Sequence, residues 1–338
     1  MTTVVSLAQR VFSMLADGQC HSGEALAQQA CVTRSAIWKA IEQLRKSGLE
    51  IKAATHRGYS LVSPCEVFDV QKIRMTLQKS FPSAAEALRS LEVVWEIEST
   101  NATLLAAPAP PANIFDLLFT ENQIAGRGRR GRSWSAALGG SVCFSIATSY
   151  DTVPRELPAL TLAIGVCVLR VLRAHGAIEL LLKWPNDLQL AGQKIGGILV
   201  ELRAEASGPA QVVVGIGLNL KLPSELRLQI EASGTKAADL SSSGIRLSER
   251  NALVAEIAGS CITGLSQFNR EGFAPFLNDW RAADALRNQS VRVLQPSGEL
   301  VGTARGIDAQ GVLQVETSDQ KIILISAGEV SVRTVSSL

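Results

Sequence analysis

The sequence predicts a multi-domain α/β protein built from three successive domains. A chain of 338 residues exceeds one ordinary small core, so two or three domains are expected. The pattern of the chain also changes twice. Residues 1–63 predict short helices and a hairpin, residues 64–287 alternate helices with apolar strands, and residues 288–338 carry short strands in succession. We therefore expect domain boundaries at Pro64 and Asn288.

The composition indicates a packed, soluble protein. Hydrophobic residues make up 46% and charged residues 19% of the chain, and the formal net charge is +2, so any nucleic-acid site must be local. The six cysteines lie far apart without a C-x-x-C pair, which favours neither a zinc site nor disulfides and suggests a reducing compartment. The N-terminus lacks a signal-length apolar run. Residues 160–169 are about half a membrane span, so we expect a cytoplasmic protein without a membrane segment.

The first segment predicts three helices followed by a hairpin. Ser22 and Thr33 are N-caps for the second and third helices, because their hydroxyls can accept a bond from an otherwise unpaired amide. Gly48 ends the third helix. Residues 49–62 then alternate as two short strands around a turn. The first helix is predicted because the apolar residues Leu7, Val11 and Leu15 recur every four residues, which places them on one helical face.

The middle and last segments predict a central sheet and a small barrel. Residues 91–97 alternate apolar and acidic side chains, as in a half-buried strand, and a long helix should run from Pro158 to Gly176. In the last segment, short strands broken by Pro-Ser-Gly, Asp-Ala-Gln-Gly and Ala-Gly-Glu indicate a barrel. Further buried strands are predicted for SVCFSIAT, ELLLKW, KIGGILVEL and QVVVGIGLNL.

The loop GRGRRGR, residues 126–132, carries four arginines and three glycines. Glycine lets a backbone approach a ligand closely, and arginine presents a fixed fork to phosphate or carboxylate oxygens. Without an anion the arginines would repel one another. Taken alone, the sequence is as compatible with a solvated basic loop or a nucleic-acid patch as with a loop that binds an anionic ligand.

Three further motifs carry polar groups near strand ends. Residues 183–187, KWPND, follow an apolar strand, and ligands of open α/β sheets bind at such ends, although a simple turn would fit the same letters. Paired glycines at 196–197 and G-x-G at 215–217 indicate close approach by a ligand or another backbone. Ser99-Thr100-Asn101 either binds a ligand or caps a helix.

The order of these motifs resembles that in the biotin protein ligase family, of the bifunctional ligase and repressor type. The motifs are STN, Q-x-A-GRGRRGR-x-W, KWPNDL, K-x-GGILVEL and GIGLN. The helical front end and the final strands match as well, so the resemblance covers nearly the whole chain. It implies a winged helix-turn-helix over 1–63, a catalytic domain with a mixed sheet of the class II aminoacyl-tRNA synthetase type over 64–287, and an SH3-like barrel over 288–338.

The resemblance also implies roles for individual residues. The biotin site would comprise Ser99, Thr100, Asn101, Gln123, Arg127, Gly128, Arg129, Trp134, Lys194 and Gly197. ATP would be bound by Arg129, Arg130, Arg132, Lys183, Asn186 and Asn219. The catalytic group would be Arg129, Lys183, Asp187 and Lys194, with Asp187 either holding Mg²⁺ or accepting a proton. DNA would be contacted by Arg34, Ser35, Lys39 and Arg57.

The expected activity follows from the same resemblance. The substrates are biotin and ATP with Mg²⁺, the intermediate is biotinyl-5′-AMP, and the acceptor is a lysine of the biotin carboxyl carrier protein of acetyl-CoA carboxylase. Operator DNA of biotin-synthesis genes is the second partner. A symmetric operator would require a homodimer, which the adenylate would favour.

Two alternatives and one departure stay open. The chain could be a lipoate- or octanoate-transferring ligase on the same fold, or a biotin-sensing repressor without ligase activity. The double-glycine strand beside GRGRRGR favours biotin, and the retained lysines and aspartate favour chemistry. The departure concerns residues 220–240, which contain no aromatic side chain to cover adenine, unlike the repressor-type relatives.

Overall fold

The N-terminal part confirms the predicted order of three helices and a hairpin. A computed structural model of the protein describes residues 5–55, 57–154, 156–204, 209–245, 249–295, 298–326 and 331–334. The hydroxyls of Ser22 and Thr33 accept bonds from Ala25 N and Ala36 N, as their places before the helices predict. The elements are α1 (Leu7–Leu15), α2 (Gly23–Gln29), α3 (Arg34–Lys46), β1 (Ile51–Ala54) and β2 (Gly58–Leu61).

The central part contains a seven-stranded sheet in the order β3-β4-β7-β11-β10-β9-β8. Only β3 and β4 run parallel, and every other neighbouring pair is antiparallel, so the sheet is mixed, as expected. A separate hairpin is formed by β5 (Gly126–Arg127) and β6 (Ser133–Trp134). The sheet strands are β3 (Leu88–Ile97), β4 (Phe115–Gln123), β7 (Ser141–Tyr150), β8 (Leu181–Lys183), β9 (Asp187–Leu190), β10 (Gln193–Ala204) and β11 (Ala210–Asn219).

Strand β4 was absent from the sequence prediction although it lies second in the sheet. Its run FDLLFTENQ contains Asp116 and Glu121, and charged residues normally argue against a buried strand. Both carboxyl groups are nevertheless buried and paired: Asp116 with Arg89, and Glu121 with Arg250. Because arginines distant in sequence neutralise both carboxylates, the strand can be buried. The local pattern of apolar residues does not reveal this pairing.

Helices cover the sheet and share one apolar core with it. α7 packs against α9, and α9 also packs against α4. The predicted long helix begins two residues later than expected, because a short 3₁₀ turn at Leu157–Ala159 precedes it. The helices are α4 (Val70–Ser80), α5 (Pro82–Glu86), α6 (Thr100–Ala106), α7 (Leu160–Ala174), α8 (Ser224–Ala232), α9 (Arg250–Glu271) and α10 (Ala274–Ala282).

The apolar stretch at α7 is longer than the sequence suggested. By length and composition alone, the 18 residues Leu157–Ala174 would suffice to cross a membrane. Arg170 does not end the helix, because its guanidinium extends to the carboxylate of Asp279 at 2.7 Å. Two thirds of the stretch (67%) are buried inside the protein, which is the environment of a core helix.

The C-terminal part confirms a strand-rich domain. Its five antiparallel strands have the order β15-β14-β13-β12-β16. Two predicted breaks fall at residues 296–297 and 327–330, outside the described residues. Buried side chains of this sheet belong to the same core cluster as the central domain, so the two parts pack as one body. The strands are β12 (Ser290–Gln295), β13 (Gly298–Ile307), β14 (Leu313–Glu316), β15 (Ile322–Ile325) and β16 (Ser331–Thr334).

The N-terminal helices contact the central domain directly. The Phe12 ring lies 5.4 Å from the Trp95 ring of β3, measured between centroids. Leu138, which precedes β7, and Cys65, in the linker, are buried in the same cluster as α1 and α3. The predicted boundary at Pro64 therefore lies beside an apolar contact that both domains share.

A buried ion pair joins the linker to the central sheet. The fully buried Arg250 donates to Glu121 of β4 at 2.6 Å and to the Ser141 carbonyl at the start of β7, also at 2.6 Å. Its guanidinium carbon lies 3.6 Å from the centre of the Phe68 ring, and the Phe68 amide donates to Glu121. One arginine thus holds α9, two strands and the linker together.

Replacing Arg250 with alanine should strongly destabilise the protein. The change leaves the Glu121 carboxylate buried without a cation, and breaking such a pair costs about 3–5 kcal/mol. Urea unfolding at 25 °C, followed by tryptophan fluorescence, measures the loss.

Arg292→Ala is the matched control, since Arg292 pairs with Glu299 at 3.1 Å while both side chains are largely exposed. That change should cost less than about 1 kcal/mol. Equal losses in the two variants would contradict a special role for the buried pair.

Candidate active site

Every residue predicted to bind biotin or ATP, or to act in catalysis, lines one cavity of about 900 Å³. This volume lies within the range of ordinary ligand pockets. Strand ends, the β5–β6 hairpin and the start of α6 supply the lining. Seven cationic side chains face the cavity: Arg127, Arg129, Arg130, Arg132, Lys183, Lys194 and Lys236. Among the described lining residues, Asp187 supplies the only carboxylate, so the cavity is built for anions.

One end of the cavity carries neutral hydrogen-bonding groups. Thr100 donates from its amide (2.9 Å) and its hydroxyl (3.1 Å) to Oε1 of Gln123 at the end of β4. Ser145 of β7 donates to the Thr100 hydroxyl at 2.7 Å. Ser99 caps α6 by accepting a bond from Ala102 N, which is the alternative role its motif suggested. These contacts fix a rigid polar surface on three elements.

Asn101 lies behind this polar surface. Its amide donates to Glu201 at 2.7 Å, and its Oδ1 shares the single hydroxyl proton of Ser145 with the Thr100 hydroxyl. Glu201 also pairs with Arg127 at 3.2 Å. A side chain at Gly215 would meet Asn101 Oδ1 at 2.3 Å, so the glycine there makes room for this amide. Asn101 thus links α6 to β10 while it contributes to the cavity wall.

The GRGRRGR loop forms a short hairpin whose tip is a left-handed turn. Gly126 pairs with Trp134, and Gly128 N donates to Arg132 O at 2.7 Å. Arg130 and Gly131 at the tip have φ values of 60° and 71°, a conformation that favours glycine. A Cβ at Gly126 would lie 2.5 Å from Trp134 O, so this glycine permits the close approach of the two strands.

Arg129 is half-buried and is the least exposed of the four hairpin arginines. Burial lowers the pKa of its guanidinium, and the neighbouring Arg130 charge lowers it further, whereas Asp187 acts in the opposite direction. A buried cation beside a second cation is stabilised when an anion occupies the space between them. The electrostatics therefore favour an anionic ligand beside Arg129.

The opposite wall is organised around Asp187. Lys183, at the end of β8, lies directly across from Asp187 in the strand register, which confirms that KWPND lies at a strand end. The Lys194 ammonium donates to Asp187 Oδ1 at 2.5 Å and lies 5.9 Å from the centre of the Trp134 ring. Asn186 donates to Ile198 O at 3.0 Å. Asp187 thereby fixes the position of the Lys194 charge.

Glycines in β10 and β11 keep this wall close to its neighbours. A Cβ at Gly217 would lie 2.5 Å from the Trp134 ring, and one at Gly197 would lie 3.2 Å from Lys194 Nζ. A Cβ at Gly196 would meet Leu218 at 2.5 Å. The predicted close approach at both glycine motifs is confirmed: Trp134 packs directly on the G-x-G backbone.

Sequence reasoning missed one wall of the cavity. Residues from the end of α8 and the segment after it face the space beyond Lys194. Lys194 N donates to Lys236 O, and Ala238 N donates to Lys194 O, so this segment lies beside the start of β10. Asn219 donates to Ala238 O at 3.1 Å, while its Oδ1 is buried without a partner. No local motif marks these residues, which are Gln229, Ile230, Ser233, Gly234, Thr235, Lys236 and Ala237.

The C-terminal domain contacts the KWPND segment. Trp184 is 1% exposed, and its indole N–H donates to Gly311 O at 3.1 Å. The Gly311 turn is held by Asp308, which accepts bonds from Gln310 N and Val312 N. The third domain therefore helps to position Lys183, although none of its described residues lines the cavity.

Asp187 is also the group that would suit Mg²⁺. Magnesium in phosphate-transfer sites is usually held by one or two carboxylates together with substrate phosphates and water. Among the described residues, no three acidic, histidine or cysteine side chains come together as a metal cluster. The single Asp187 carboxylate, with one oxygen bonded to Lys194, fits a metal held mainly by phosphates.

The residues predicted to contact DNA lie on a separate surface. Arg34, Ser35 and Lys39 are exposed on α3, and Arg57 is exposed in the turn between β1 and β2. None of them lines the cavity. The two sets of predicted residues therefore form two distinct surfaces.

Comparison with known proteins agrees with this division. The biotin/lipoate A/B protein ligase family matches residues 97–219, the biotin protein ligase C-terminal domain matches 288–333, and a helix-turn-helix domain matches 8–60. The fold resembles a solved structure of biotin protein ligase from Aquifex aeolicus in complex with biotin and ATP, with a TM-score of 0.60 and 25% identity over 73% of this chain and 100% of that one.

Two curated relatives are similar along most of the sequence. The biotin–[acetyl-CoA-carboxylase] ligase of Mycobacterium tuberculosis is 34% identical over 75% of this chain and 93% of its own length. The bifunctional ligase/repressor BirA of Salmonella typhimurium is 34% identical over 96% of this chain and 97% of its own length. This chain belongs to the biotin protein ligase family, in its bifunctional ligase/repressor branch.

Proposed function

We propose that the chain joins biotin to ATP, transfers the biotinyl group to a lysine of the biotin carboxyl carrier protein, and represses biotin-synthesis genes. One observation carries the enzymatic part: among the described lining residues, the cavity has a neutral polar end, while seven cations and one carboxylate line the rest. Biotin has a neutral ureido ring and an anionic chain end, and ATP adds three phosphates. This distribution of charge matches both substrates in a single cavity.

The ureido ring is proposed to bind Ser99, Thr100, Asn101 and Gln123. Gln123 Oε1 already accepts two bonds from Thr100, so the Gln123 amide is oriented in advance. The ring would replace water at this surface without reorganising it. Trp134 and Gly197 would flank the valerate chain, whose carboxylate would extend toward Lys194 and Arg127, beside the backbone of Gly128.

The first reaction step brings two anions together. Arg129, Arg130, Arg132 and Lys183 are proposed to bind the phosphates, while Asn186 and Asn219 serve the nucleoside part. The biotin carboxylate oxygen would attack the α-phosphorus, the bond to the bridging oxygen would break, and pyrophosphate would leave. Mg²⁺, held by Asp187 and phosphate oxygens, would supply further neutralisation of charge.

The second step transfers the acyl group. A neutral lysine amine of the carrier would attack the acyl carbon of biotinyl-5′-AMP, AMP would leave, and a proton would pass to solvent or to Asp187. The arginine hairpin would cover the mixed anhydride and exclude water from it. Lys194, fixed by Asp187 at 2.5 Å, would stabilise the negative charge that develops on the carbonyl oxygen.

The repressor part rests on the N-terminal domain. We propose a winged helix-turn-helix over 1–63, a catalytic domain over 64–287 and an SH3-like barrel over 288–338. α3 would enter the major groove, with Arg57 of the wing on the backbone. Two chains would bind a symmetric operator as a homodimer that forms when the adenylate is bound. We place this activity in the cytoplasm, without a membrane.

Lys194→Ala should weaken biotin binding about tenfold or more, because it removes a charged partner of the ligand carboxylate. Isothermal calorimetry with biotin measures the change. Lys72→Ala is the control, since Lys72 also forms an ion pair (2.7 Å, with Glu66) but lies outside the cavity. Equal biotin affinity in the wild type and Lys194→Ala would remove Lys194 from the biotin site.

Arg129→Gly should release the adenylate before transfer. The change removes the fork beside the carboxyl–phosphate junction, so biotinyl-5′-AMP should form but escape, and radiolabelled biotin should reach bystander lysines. The wild type should label only the carrier domain, whereas Arg129→Lys, which keeps the charge, should be intermediate. Absence of any label on the carrier with wild-type protein and MgATP would refute the ligase proposal itself.

Operator binding should depend on the cations of the N-terminal domain. In gel shifts on DNA upstream of the biotin-synthesis genes, biotin with MgATP should strengthen binding by the full-length chain. Lys39→Ala and Arg57→Ala should each lower the slope of log affinity against log salt by about one and leave ligase activity intact.

Lys79→Ala, at the exposed end of α4, is the control and should bind as wild type. If biotin and MgATP shift no such fragment, the ligase proposal survives and the repressor proposal fails.

A further inference from the structure

The face of α3 that points away from the core carries a large apolar side chain. Trp38 is 54% exposed, whereas Ile37, Ile41 and Leu44 on the opposite face are buried. Within the described part of the chain, neither a hydrogen bond nor a ring contact engages the Trp38 indole. Tryptophan is highly buried on average, so an indole that is more than half exposed beside cations is a candidate for contact with a partner.

The surroundings of Trp38 are cationic. Arg34 lies one helical turn before it and Lys39 directly after it, and both are exposed. The acidic residue one turn later, Glu42, is already paired with Arg45 at 2.7 Å. The partner of this face is therefore an anion that also offers an apolar contact.

Trp38 lies in the part of α3 that would reach the base edges in the major groove. α3 begins at Arg34, so Trp38 is its fifth residue, and the N-terminal turns of a recognition helix reach the bases in the major groove. Ser35 precedes it by nearly one turn, but its hydroxyl already contacts the Thr33 hydroxyl at 3.0 Å. Trp38 thus projects from the helix between Arg34 and Lys39, and its side chain is longer than that of Ser35.

The chemistry of the indole selects one base. In the major groove, thymine alone presents an apolar group, the C5-methyl, next to an acceptor, O4. Indole combines an apolar face with a single N–H donor. We propose that Trp38 reads a thymine in each operator half-site, by packing on its methyl group and donating to O4. This inference rests on the proposed repressor function and adds to it a residue that sets sequence preference.

The test uses full-length protein with biotin and MgATP. A binding site is first selected from a random double-stranded DNA library by the wild type. Each thymine of that site is then replaced singly by deoxyuridine, which removes only the methyl group. The wild type should lose about fourfold in affinity at one thymine of each half-site, the change expected for losing one buried methyl.

Variants separate this contact from general effects. Trp38→Ala should bind the selected site more weakly and lose its sensitivity to deoxyuridine, whereas Trp38→Phe should keep that sensitivity, because its ring still packs on the methyl group. Met75→Ala removes a side chain of α4 that is 67% exposed and should change nothing. Circular dichroism checks that each variant is folded.

Two results would overturn the inference. The first is an unchanged deoxyuridine penalty in Trp38→Ala. If sedimentation then showed weaker self-association of this variant, Trp38 would instead contact a second copy of the chain. The second is the absence of any thymine whose methyl group matters to the wild type. Failure of the wild type to select any DNA would instead refute the repressor proposal as a whole.

Discussion

The architecture depends on the ion pair between Arg250 and Glu121. Both side chains lie in the interior, where an unpaired charge would be too costly to keep, so each requires the other. Their hydrogen bonds extend to Glu66 O and the Phe68 amide in the linker, and to Ser141 O at the start of β7. Glu121 precedes Gln123 by two residues on β4. The same pair therefore anchors two parts of the chain. One is the linker that leads to the DNA-binding domain, and the other is β4, which carries Gln123 of the cavity.

The segment before β7 connects the cavity with the N-terminal domain. Leu138 and Gly139 contact the side chains of α1 and the linker, and a Cβ at Gly139 would lie 3.2 Å from Phe12. On the other side, Gly140 O accepts bonds from the Leu220 and Lys221 amides, just before α8. This segment follows the arginine hairpin along the chain. One short stretch of backbone thus contacts both the N-terminal domain and the segment before α8, whose C-terminal end lines the cavity.

The third domain is coupled to the other half of the cavity. Gly311 O accepts the Trp184 indole N–H from the central domain. Within the central domain itself, Ala283 and Ala285, which follow α10, form backbone hydrogen bonds with Leu182 of β8. β8 is an edge strand of only three residues, and short edge strands hold their place weakly by themselves. The Gly311 contact and the backbone bonds after α10 therefore help to keep Lys183 opposite Asp187, on the wall that faces the arginine hairpin.

Local features of the fold could be derived from the sequence, because they depend on neighbours along the chain. Ser22 and Thr33 cap helices through amides three residues away, as their places before the helices predicted. The motif at 183–187 was expected at a strand end for the same reason. The family resemblance that the ordered motifs carry implied one site for both substrates, and the residues it named line one cavity.

Tertiary structure alone decided the features that rest on residues distant in sequence. β4 was not predicted because Arg89 and Arg250 neutralise its buried carboxylates. The apolar periodicity of a sequence gives no sign of such distant pairs. The wall formed by residues 229–237 has no motif, because its place depends on backbone bonds to Lys194. Residue types and spacing determined which chemistry this chain can hold. Long-range pairing determined where each group lies, since a burial or hydrogen-bond partner far along the chain leaves no local pattern.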